Sequence, residues 1–220
     1  QYWVFLNAET AAEPSLVPAA ANFHRVECGV RAGNRPARLL YEQVALPARV
    51  AARRLDVLFS PGFTSPLVST VAKVTVIHDM QHKRRPENFS GLELAAWRAT
   101  VWISARFSRR IVTVSESSRR DIVEIYGLDP SRVEVVPHGV EAAFFEPRGK
   151  REETGLGEWP YLLSVSTVHR HKNWERWLEA YAKLAAEGWQ QHLVIAGLRG
   201  TFSGKLERRV SEAGLSERVH

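Results

Sequence analysis

Cysteine is almost absent from this sequence: Cys28 is the only one in 220 residues. A single cysteine excludes an internal disulfide and fits a reducing compartment. No partners stand at the spacing that a zinc site needs, so we interpret Cys28 as a packing residue. The sequence also lacks a run of about eighteen apolar residues and the pattern of a signal peptide. These absences predict a cytoplasmic protein.

The composition is that of a globular protein with an excess of positive charge. Apolar residues make up 45% of the chain, which excludes extensive disorder. A chain of 220 residues can form one large domain or two small ones. The net charge of +6 leaves three classes of partner open. They are nucleic acid, a phosphorylated ligand and an anionic membrane surface.

Short apolar runs rich in β-branched residues alternate with helical patterns, which predicts parallel sheets covered by helices. The predicted strands are Tyr2–Leu6, Phe23–Glu27, Asp56–Ser60, Lys73–Ile77, Ile111–Val114, Arg132–Val136, Leu162–Val165 and Leu193–Ala196. The predicted helices are Arg38–Arg54 with a kink or break at Pro47, Leu92–Arg110, Ser115–Tyr126, one from Asn173 to Gly188, and Leu206–Glu212.

Residues 146–158 form the most polar stretch of the chain, rich in charge and glycine. We expect residues 146–160 to be a linker between a first α/β domain over 1–145 and a second that begins at residue 161. Two such domains would place a ligand cleft between the carboxyl ends of their strands.

The segment Leu162–Tyr181 combines a buried strand, a polar loop and a helix. Asn173 is the expected N-cap, and Trp177, Leu178 and Tyr181 are expected on the apolar face of the helix. The loop brings several cationic side chains to the start of the helix, where exposed amides and the helix dipole favour an anion. The residues alone leave two interpretations open: an oxyanion or phosphate site, and a solvated basic loop.

Three more polar loops follow strands. His78-Asp79 would be either an oriented surface pair or part of a site, and His138 more simply shapes its turn. The loop Gly197–Gly200 carries Arg199, with glycines expected to let the backbone approach a ligand. On the long predicted helix, Trp97, Val101, Trp102 and Phe107 are expected on one side, as core or groove lining.

Five blocks in this order, VTVIHDM, IVTVSESSRRDI, RVEVVPHGV, LLSVSTVHRHKN and LVIAGLRG, resemble the retaining glycosyltransferases of family 4. The resemblance runs from about residue 56 to residue 219. It implies the GT-B fold: two Rossmann-like domains with parallel sheets, of which the second is incomplete here. It also implies a nucleotide-diphosphate sugar bound mainly to the second domain, an acceptor at the first, and no cofactor or metal.

The resemblance implies a role for individual residues. Lys172 matches the lysine that contacts the donor diphosphate, and His78 matches a first-domain histidine near the transferred sugar. These two are the expected catalytic residues. The expected substrate-binding residues are Asp79, Ser115, Glu116, His138, Gly139, Ser166, Thr167, Arg170, Gly197 and Arg199. Ser166 replaces the usual glycine, and Thr167 stands where many members have an arginine.

The expected activity is transfer of a hexose, with a mannosyl-like donor favoured, to a glycan or lipid-linked acceptor with retention of configuration. The family's paired-glutamate motif and first glycine-rich loop are missing, so we expect the chain to be a piece of a longer enzyme. The basic stretch from Lys73 to Arg110 suggests a peripheral contact with an anionic membrane. The alternatives are a nucleotide-sugar epimerase of the same fold and a non-enzymatic basic module that binds nucleotides or nucleic acid. The spread of the basic residues over several helices disfavours nucleic acid.

Overall fold

The computed structural model describes residues 1–146 and 159–220. These residues divide into two compact units, Gln1–Val140 and Glu141–His220. Most of the predicted linker, residues 147–158, lies outside the described residues.

All strand pairs in the structure are parallel, as the alternation of strands and helices predicts. In the first unit β1 (Tyr2–Leu6) pairs with β2 (Phe23–Glu27), and a second sheet has the order β3-β4-β5-β6. Its strands are β3 (Val57–Ser60), β4 (Ala72–Val76), β5 (Arg110–Thr113) and β6 (Val133–Val135). In the second unit β7 (Tyr161–Val165) pairs with β8 (His192–Ala196), and Val219 adds a parallel bridge to β8.

Helices connect the strands. The α-helices are α1 (Ala8–Ala11), α2 (Arg35–Leu40), α3 (Leu46–Ala52), α4 (Gln81–Arg84), α5 (Gly91–Phe107), α6 (Glu116–Tyr126), α7 (Trp174–Ala186) and α8 (Ser203–Glu212). A π-helical segment, Tyr41–Ala45, joins α2 to α3. Short 3₁₀ turns lie at Pro14–Leu16, Pro86–Asn88, Pro130–Arg132, Ala142–Phe144 and Arg170–Lys172.

The expected break at Pro47 is confirmed, and it takes the form of the π-helical segment. Pro47 is the second residue of α3, and because it has no N–H it cannot donate the backbone hydrogen bond that another residue would make there. Inside a regular helix its ring would clash with the carbonyl four residues earlier. The wider turn of Tyr41–Ala45 comes directly before it, so the helical path continues with a local change of pitch.

The expected apolar side of α5 is wrong for two of its four residues. Val101 is fully buried and Trp97 packs against the core, but Trp102 is 46% exposed and Phe107 is 53% exposed. Successive residues turn by about 100° around a helix, which places Trp102 and Phe107 well away from the Trp97–Val101 line.

The face of α7 also differs from the prediction. Its buried residues are Trp174, Leu178 and Tyr181, which recur at i, i+4 and i+7, whereas Trp177 is exposed. These buried residues pack with Leu193 of β8 in the core of the second unit. The core of the first unit is a separate cluster between β5, α5 and α6, and it includes Ile111 and Ile122.

Helix α6 begins and ends as its sequence predicts. The Ser115 hydroxyl accepts a hydrogen bond from the Ser118 amide at 3.1 Å, which caps the first turn. Gly127 ends the helix with φ of 60°, a left-handed conformation that an L side chain adopts only with strain.

We expect Gly127→Ala to lower the free energy of unfolding of the first unit by about 1 kcal/mol, because alanine disfavours a left-handed backbone. Urea unfolding followed by circular dichroism measures the change. Gly91→Ala is the matched control, since a Cβ there meets no atom within 4 Å and Gly91 opens a helix. Equal stability of the two variants would contradict the capping role of Gly127.

Candidate functional site

Two histidines meet beyond the carboxyl ends of β4 and β6 in the first unit. His78 follows β4 and His138 follows β6, and their rings stack with centroids 5.6 Å apart. Strand β5 lies between β4 and β6 in the sheet, so the two loops reach over its end. Phe63, after β3, meets the His78 ring edge-on at 5.2 Å. The predicted positions at one edge of the sheet therefore bring these rings together.

The hydrogen bond of His78 fixes which ring nitrogen can accept. His78 Nε2 lies 3.1 Å from the carbonyl oxygen of Pro61. A carbonyl oxygen only accepts, so Nε2 carries the proton. In the neutral ring Nδ1 then keeps its lone pair, and no described residue donates a hydrogen bond to it. The half-buried His78 can thus accept a hydrogen bond from a ligand hydroxyl.

The other first-unit candidates have local partners. The Asp79 carboxylate accepts from the Gln81 amide at 3.0 Å, which orders the turn after His78. Ser115 caps α6, and the exposed Glu116 lies 3.6 Å from Arg119 in an i, i+3 ion pair. Gly139 is exposed, and a Cβ there would meet no atom within 4 Å.

The sequence interpretation missed Phe63 and its unusual backbone. Phe63 has φ of 63°, an uncommon conformation for a bulky residue. Its amide donates to the Val76 carbonyl at 2.9 Å, and its ring packs edge-on against Trp97. These contacts hold it beside His78 despite a cost of about 1–3 kcal/mol for such a conformation. The Pro61-Gly62 turn signal just before it was the available hint.

A second missed feature is a buried histidine behind the same loop. His82 lies on α4, is fully buried, and its Nε2 is 2.8 Å from the hydroxyl of Tyr126. Burial lowers the pKa of His82, the neighbouring Lys83 lowers it further, and Asp79 opposes them. Burial raises the pKa of Tyr126. His82 therefore remains a neutral structural group near pH 7.

In the second unit the loops after β7 and β8 run side by side with no side chain between them, and we call them the paired loops. The Ser166 amide donates to the Ala196 carbonyl at 2.9 Å, and the Val168 amide donates to the Leu198 carbonyl at 3.2 Å. A Cβ on Gly197 would lie 2.4 Å from the Ser166 carbonyl oxygen, and one on Gly200 would lie 2.3 Å from the Val168 carbonyl oxygen. These glycines let the two loops approach each other, which differs from the expected approach of the backbone to a ligand.

The paired loops hold the predicted cationic residues at the surface. Arg170, His171 and Lys172 form a 3₁₀ turn before α7 and are all exposed. Among the described residues, Lys172 has no ion-pair partner within 4 Å. The nearby carboxylate of Glu175 is already bound by Lys205 at 2.8 Å and by Arg209 at 3.2 Å, which lower its pKa.

Three other candidates in this loop pair are engaged within the unit. The Arg199 guanidinium forms an exposed ion pair with Glu207 at 2.6 Å, so it is not a free cation. The Ser166 hydroxyl donates to the Thr167 carbonyl at 3.2 Å. Thr167 is half-buried at the point where the loop turns towards Arg170.

The expected cap of α7 is wrong. Asn173 has φ of 60° and ψ of 35°, and its side chain accepts no capping hydrogen bond. Asparagine tolerates the left-handed conformation better than most residues, which explains its presence at this sharp change of direction. The first amides of α7 are therefore left without a side-chain cap from Asn173.

The described residues contain no group of three or more His, Cys, Asp or Glu side chains arranged to hold a metal ion. Among the same residues, no helix has both the length and the apolar character needed to cross a membrane.

The family model for Glycosyltransferase Family 4 matches residues 3–144, more than half of the chain. The chain belongs to glycosyltransferase family 4. Membership of the family, as inferred from the sequence blocks, is thereby confirmed.

Two curated relatives of this family 4 chain each match it at 28% identity. It is 28% identical over 192 residues to D-inositol 3-phosphate glycosyltransferase of Thermomonospora curvata, covering 74% of this chain and 44% of the relative. It is 28% identical over 127 residues to MMP alpha-(1->4)-mannosyltransferase of Mycolicibacterium hassiacum, covering 56% of this chain and 29% of the relative. The chain thus spans less than half the length of these relatives.

Solved structures share the fold. WaaG, a glycosyltransferase involved in lipopolysaccharide biosynthesis, matches with a TM-score of 0.62 and 17% identity, covering 92% of this chain and 58% of that one. UDP-N-acetylglucosamine 2-epimerase from Rickettsia bellii matches with a TM-score of 0.51 and 12% identity, covering 90% of this chain and 53% of that one. At these identities the likeness shows the fold alone, and the predicted α/β architecture of GT-B type is confirmed.

We expect Gly197→Ala to destabilise the second unit by about 1–3 kcal/mol, because the new Cβ would force the paired loops apart. Gly204→Ala is the control, since a Cβ on Gly204 meets nothing within 4 Å. Chemical denaturation and amide hydrogen exchange of residues 166–173 check the result. Unchanged protection of these amides against exchange in Gly197→Ala would contradict the close contact between the paired loops.

The stability of the first unit should depend on pH through His82. Because burial lowers the pKa of His82 below its ordinary value of 6.5, the unfolded chain binds this proton first. Stability linked to His82 is complete above pH 6.5 and is lost as the pH falls below it. His82→Gln should therefore flatten the fall in unfolding free energy between about pH 7 and pH 5. A His82→Gln variant that keeps the wild-type slope over this pH range would contradict this account.

Proposed function

We propose that this chain is part of a glycosyltransferase that moves a hexosyl group from a nucleotide-diphosphate sugar to a glycan or lipid-linked acceptor. The second unit would bind the donor and the first unit would contribute the acceptor side. The observation that carries the proposal is the exposed cationic turn Arg170–Lys172, which the paired loops hold at the start of a 13-residue helix. Family membership supplies the reaction class.

The geometry of that turn suits a diphosphate. Lys172 projects from a surface where the carboxylate of Glu175 is already neutralised by two other cations. The uncapped amides at the start of α7 add the positive end of a helix dipole. Lys172 contributes a mobile point charge and Arg170 a planar donor group, which together can bind several phosphate oxygens.

The chemistry assigned to this site is charge neutralisation during bond cleavage. The bond between the anomeric carbon and the diphosphate oxygen breaks, and the electron pair stays with the diphosphate. A bond forms from the acceptor hydroxyl oxygen to the anomeric carbon, and the hydroxyl proton passes to the departing diphosphate oxygen. Lys172, Arg170 and the helix dipole would stabilise the charge on the leaving group without a metal ion. Attack from the face that the leaving group vacates would retain the configuration.

His78 is proposed as the first-unit catalytic residue. Its Nε2 proton is held by the Pro61 carbonyl, so Nδ1 can accept a hydrogen bond from a sugar hydroxyl. Asp79, Ser115, Glu116, His138 and Gly139 lie on the loops at the same edge of the sheet, and we propose that they line the substrate site. Ser166, Thr167, Gly197 and Arg199 form the corresponding lining in the second unit, with Arg199 released from Glu207 on donor binding.

The donor is proposed from the relatives. One relative is named as a mannosyltransferase and another as a glycosyltransferase of D-inositol 3-phosphate, so a mannosyl-like donor and a phosphorylated acceptor are the first to test. We place the enzyme in the cytoplasm, with a peripheral contact to an anionic membrane if the acceptor is lipid-linked.

A nucleotide-sugar epimerase is the second candidate function, because the shared fold does not separate an epimerase from a transferase. An epimerase would convert its nucleotide sugar with no acceptor present. A transferase releases nucleoside diphosphate in proportion to glycosylated acceptor, so incubation of the donor with and without acceptor separates the two.

Lys172→Ala should lower turnover at least about a hundredfold, because such a donor of positive charge contributes about 3 kcal/mol or more in the transition state. The variant is tested in the protein that carries this sequence, by release of nucleoside diphosphate from donor and acceptor. Lys183→Ala, at an exposed lysine later on α7, is the matched control and should retain full turnover. Equal rates for the two variants would refute the role of Lys172.

A further inference from the structure

A cavity of about 720 Å³ lies at the amino ends of β4 and β5 in the first unit. This is the edge of the sheet opposite to His78 and His138, since all four strands are parallel. Its walls come from the segment before β4, from the end of α5 and from the turn before β6. The proposed transfer chemistry uses none of these residues.

The lining is strongly cationic. It includes Lys73, Arg106, Arg109 and Arg132, and none of the described residues that line the cavity is acidic. Two serines, Ser69 and Ser108, are also among the lining residues. Four positive charges around one space repel one another unless an anion or water screens them.

Two of these cations are already used by the fold. The Arg132 guanidinium donates to the carbonyls of Ala105, Arg106 and Ser108 and so caps the end of α5. Lys73 as a residue is only 4% exposed, and its ammonium donates to the carbonyls of Pro66 and Leu67. Burial lowers the pKa of Lys73, and the charge of Glu42 opposes this.

The other two cations have no such partner. Arg106 and Arg109 are exposed, and neither side chain forms a hydrogen bond or an ion pair with any residue in 1–146 or 159–220. They flank Phe107, whose half-exposed ring also lines the cavity, as does Leu67. Two free guanidinium groups beside an apolar wall can bind a phosphate through paired hydrogen bonds while a less polar group contacts Phe107.

We propose that this cavity is a second anion site, which binds a phosphate or diphosphate group through Arg106 and Arg109. Lys73 adds a further positive charge to the lining, and Arg132 holds the end of α5 on which Arg106 lies. The shared chemistry is a phosphate group, and it can come from a soluble phosphorylated compound or from a phospholipid headgroup.

The test measures pyrophosphate binding by isothermal titration calorimetry on the protein that carries this sequence. The double variant Arg106→Gln/Arg109→Gln should weaken this site at least about tenfold, because it removes the charge-assisted hydrogen bonds from the guanidinium groups to the phosphate. The control Arg31→Gln/Arg38→Gln removes the same charge from exposed arginines outside the cavity and should leave binding unchanged. Both double variants should keep the wild-type melting temperature, because all four side chains are exposed.

Lys172→Ala separates this inference from the proposed donor site. It should remove one pyrophosphate site and leave the site at Arg106 and Arg109, whereas the cavity variant should do the reverse. A parallel arm measures co-sedimentation with vesicles of phosphatidylcholine containing phosphatidylglycerol. Loss of pyrophosphate binding in the cavity variant, but not in its charge-matched control, supports a soluble ligand. Loss of vesicle binding in the cavity variant, but not in that control, supports a phospholipid headgroup. If the cavity variant and its charge-matched control behave alike with both probes, the proposal is overturned.

Discussion

The close approach of two loops, possible only where side chains are absent, is the constraint on which the second unit depends. Gly197 and Gly200 pass so near the carbonyls of Ser166 and Val168 that a methyl group would overlap them. Backbone hydrogen bonds then join the loops after β7 and β8 into one surface. The turn Arg170–Lys172 projects from that surface, and its position follows from a contact that involves none of its own side chains.

In the first unit, the loops at the strand ends meet through side chains and not through the backbone. His78 and His138 leave strands that are not neighbours, and they meet because the loops after β4 and β6 reach over β5. Phe63 supports this stack from a left-handed backbone conformation, and the Pro61 carbonyl sets the tautomer of His78. In both units the strands are parallel, so polar residues that follow them collect at one edge.

Local features could be predicted from the sequence. The β-branched run around Val74 gives a buried strand, and Ser115 and Gly127 bound α6 because capping depends on one residue and its near neighbours. The same capping rule predicted Asn173 as the N-cap of α7. This prediction is wrong, because asparagine is equally suited to the left-handed conformation that it adopts there.

Features that depend on distant segments could not be predicted. The burial of Lys73 requires the carbonyls of Pro66 and Leu67 to fold over it, and the exposure of Trp102 follows from how α5 sits on its sheet. The packing role of Gly197 needs a loop some thirty residues earlier in the chain. Composition signalled an excess of positive charge, but only the fold separates the cations that cap carbonyls from those that remain free to bind an anion.

The central claim is that the paired loops of the second unit form the diphosphate site. Amide chemical-shift mapping with a nucleoside diphosphate tests it most directly. The account predicts that the perturbed amides fall in residues 166–173 and 197–201. Saturating nucleotide that leaves these amides unchanged, while others shift or none do, would contradict it.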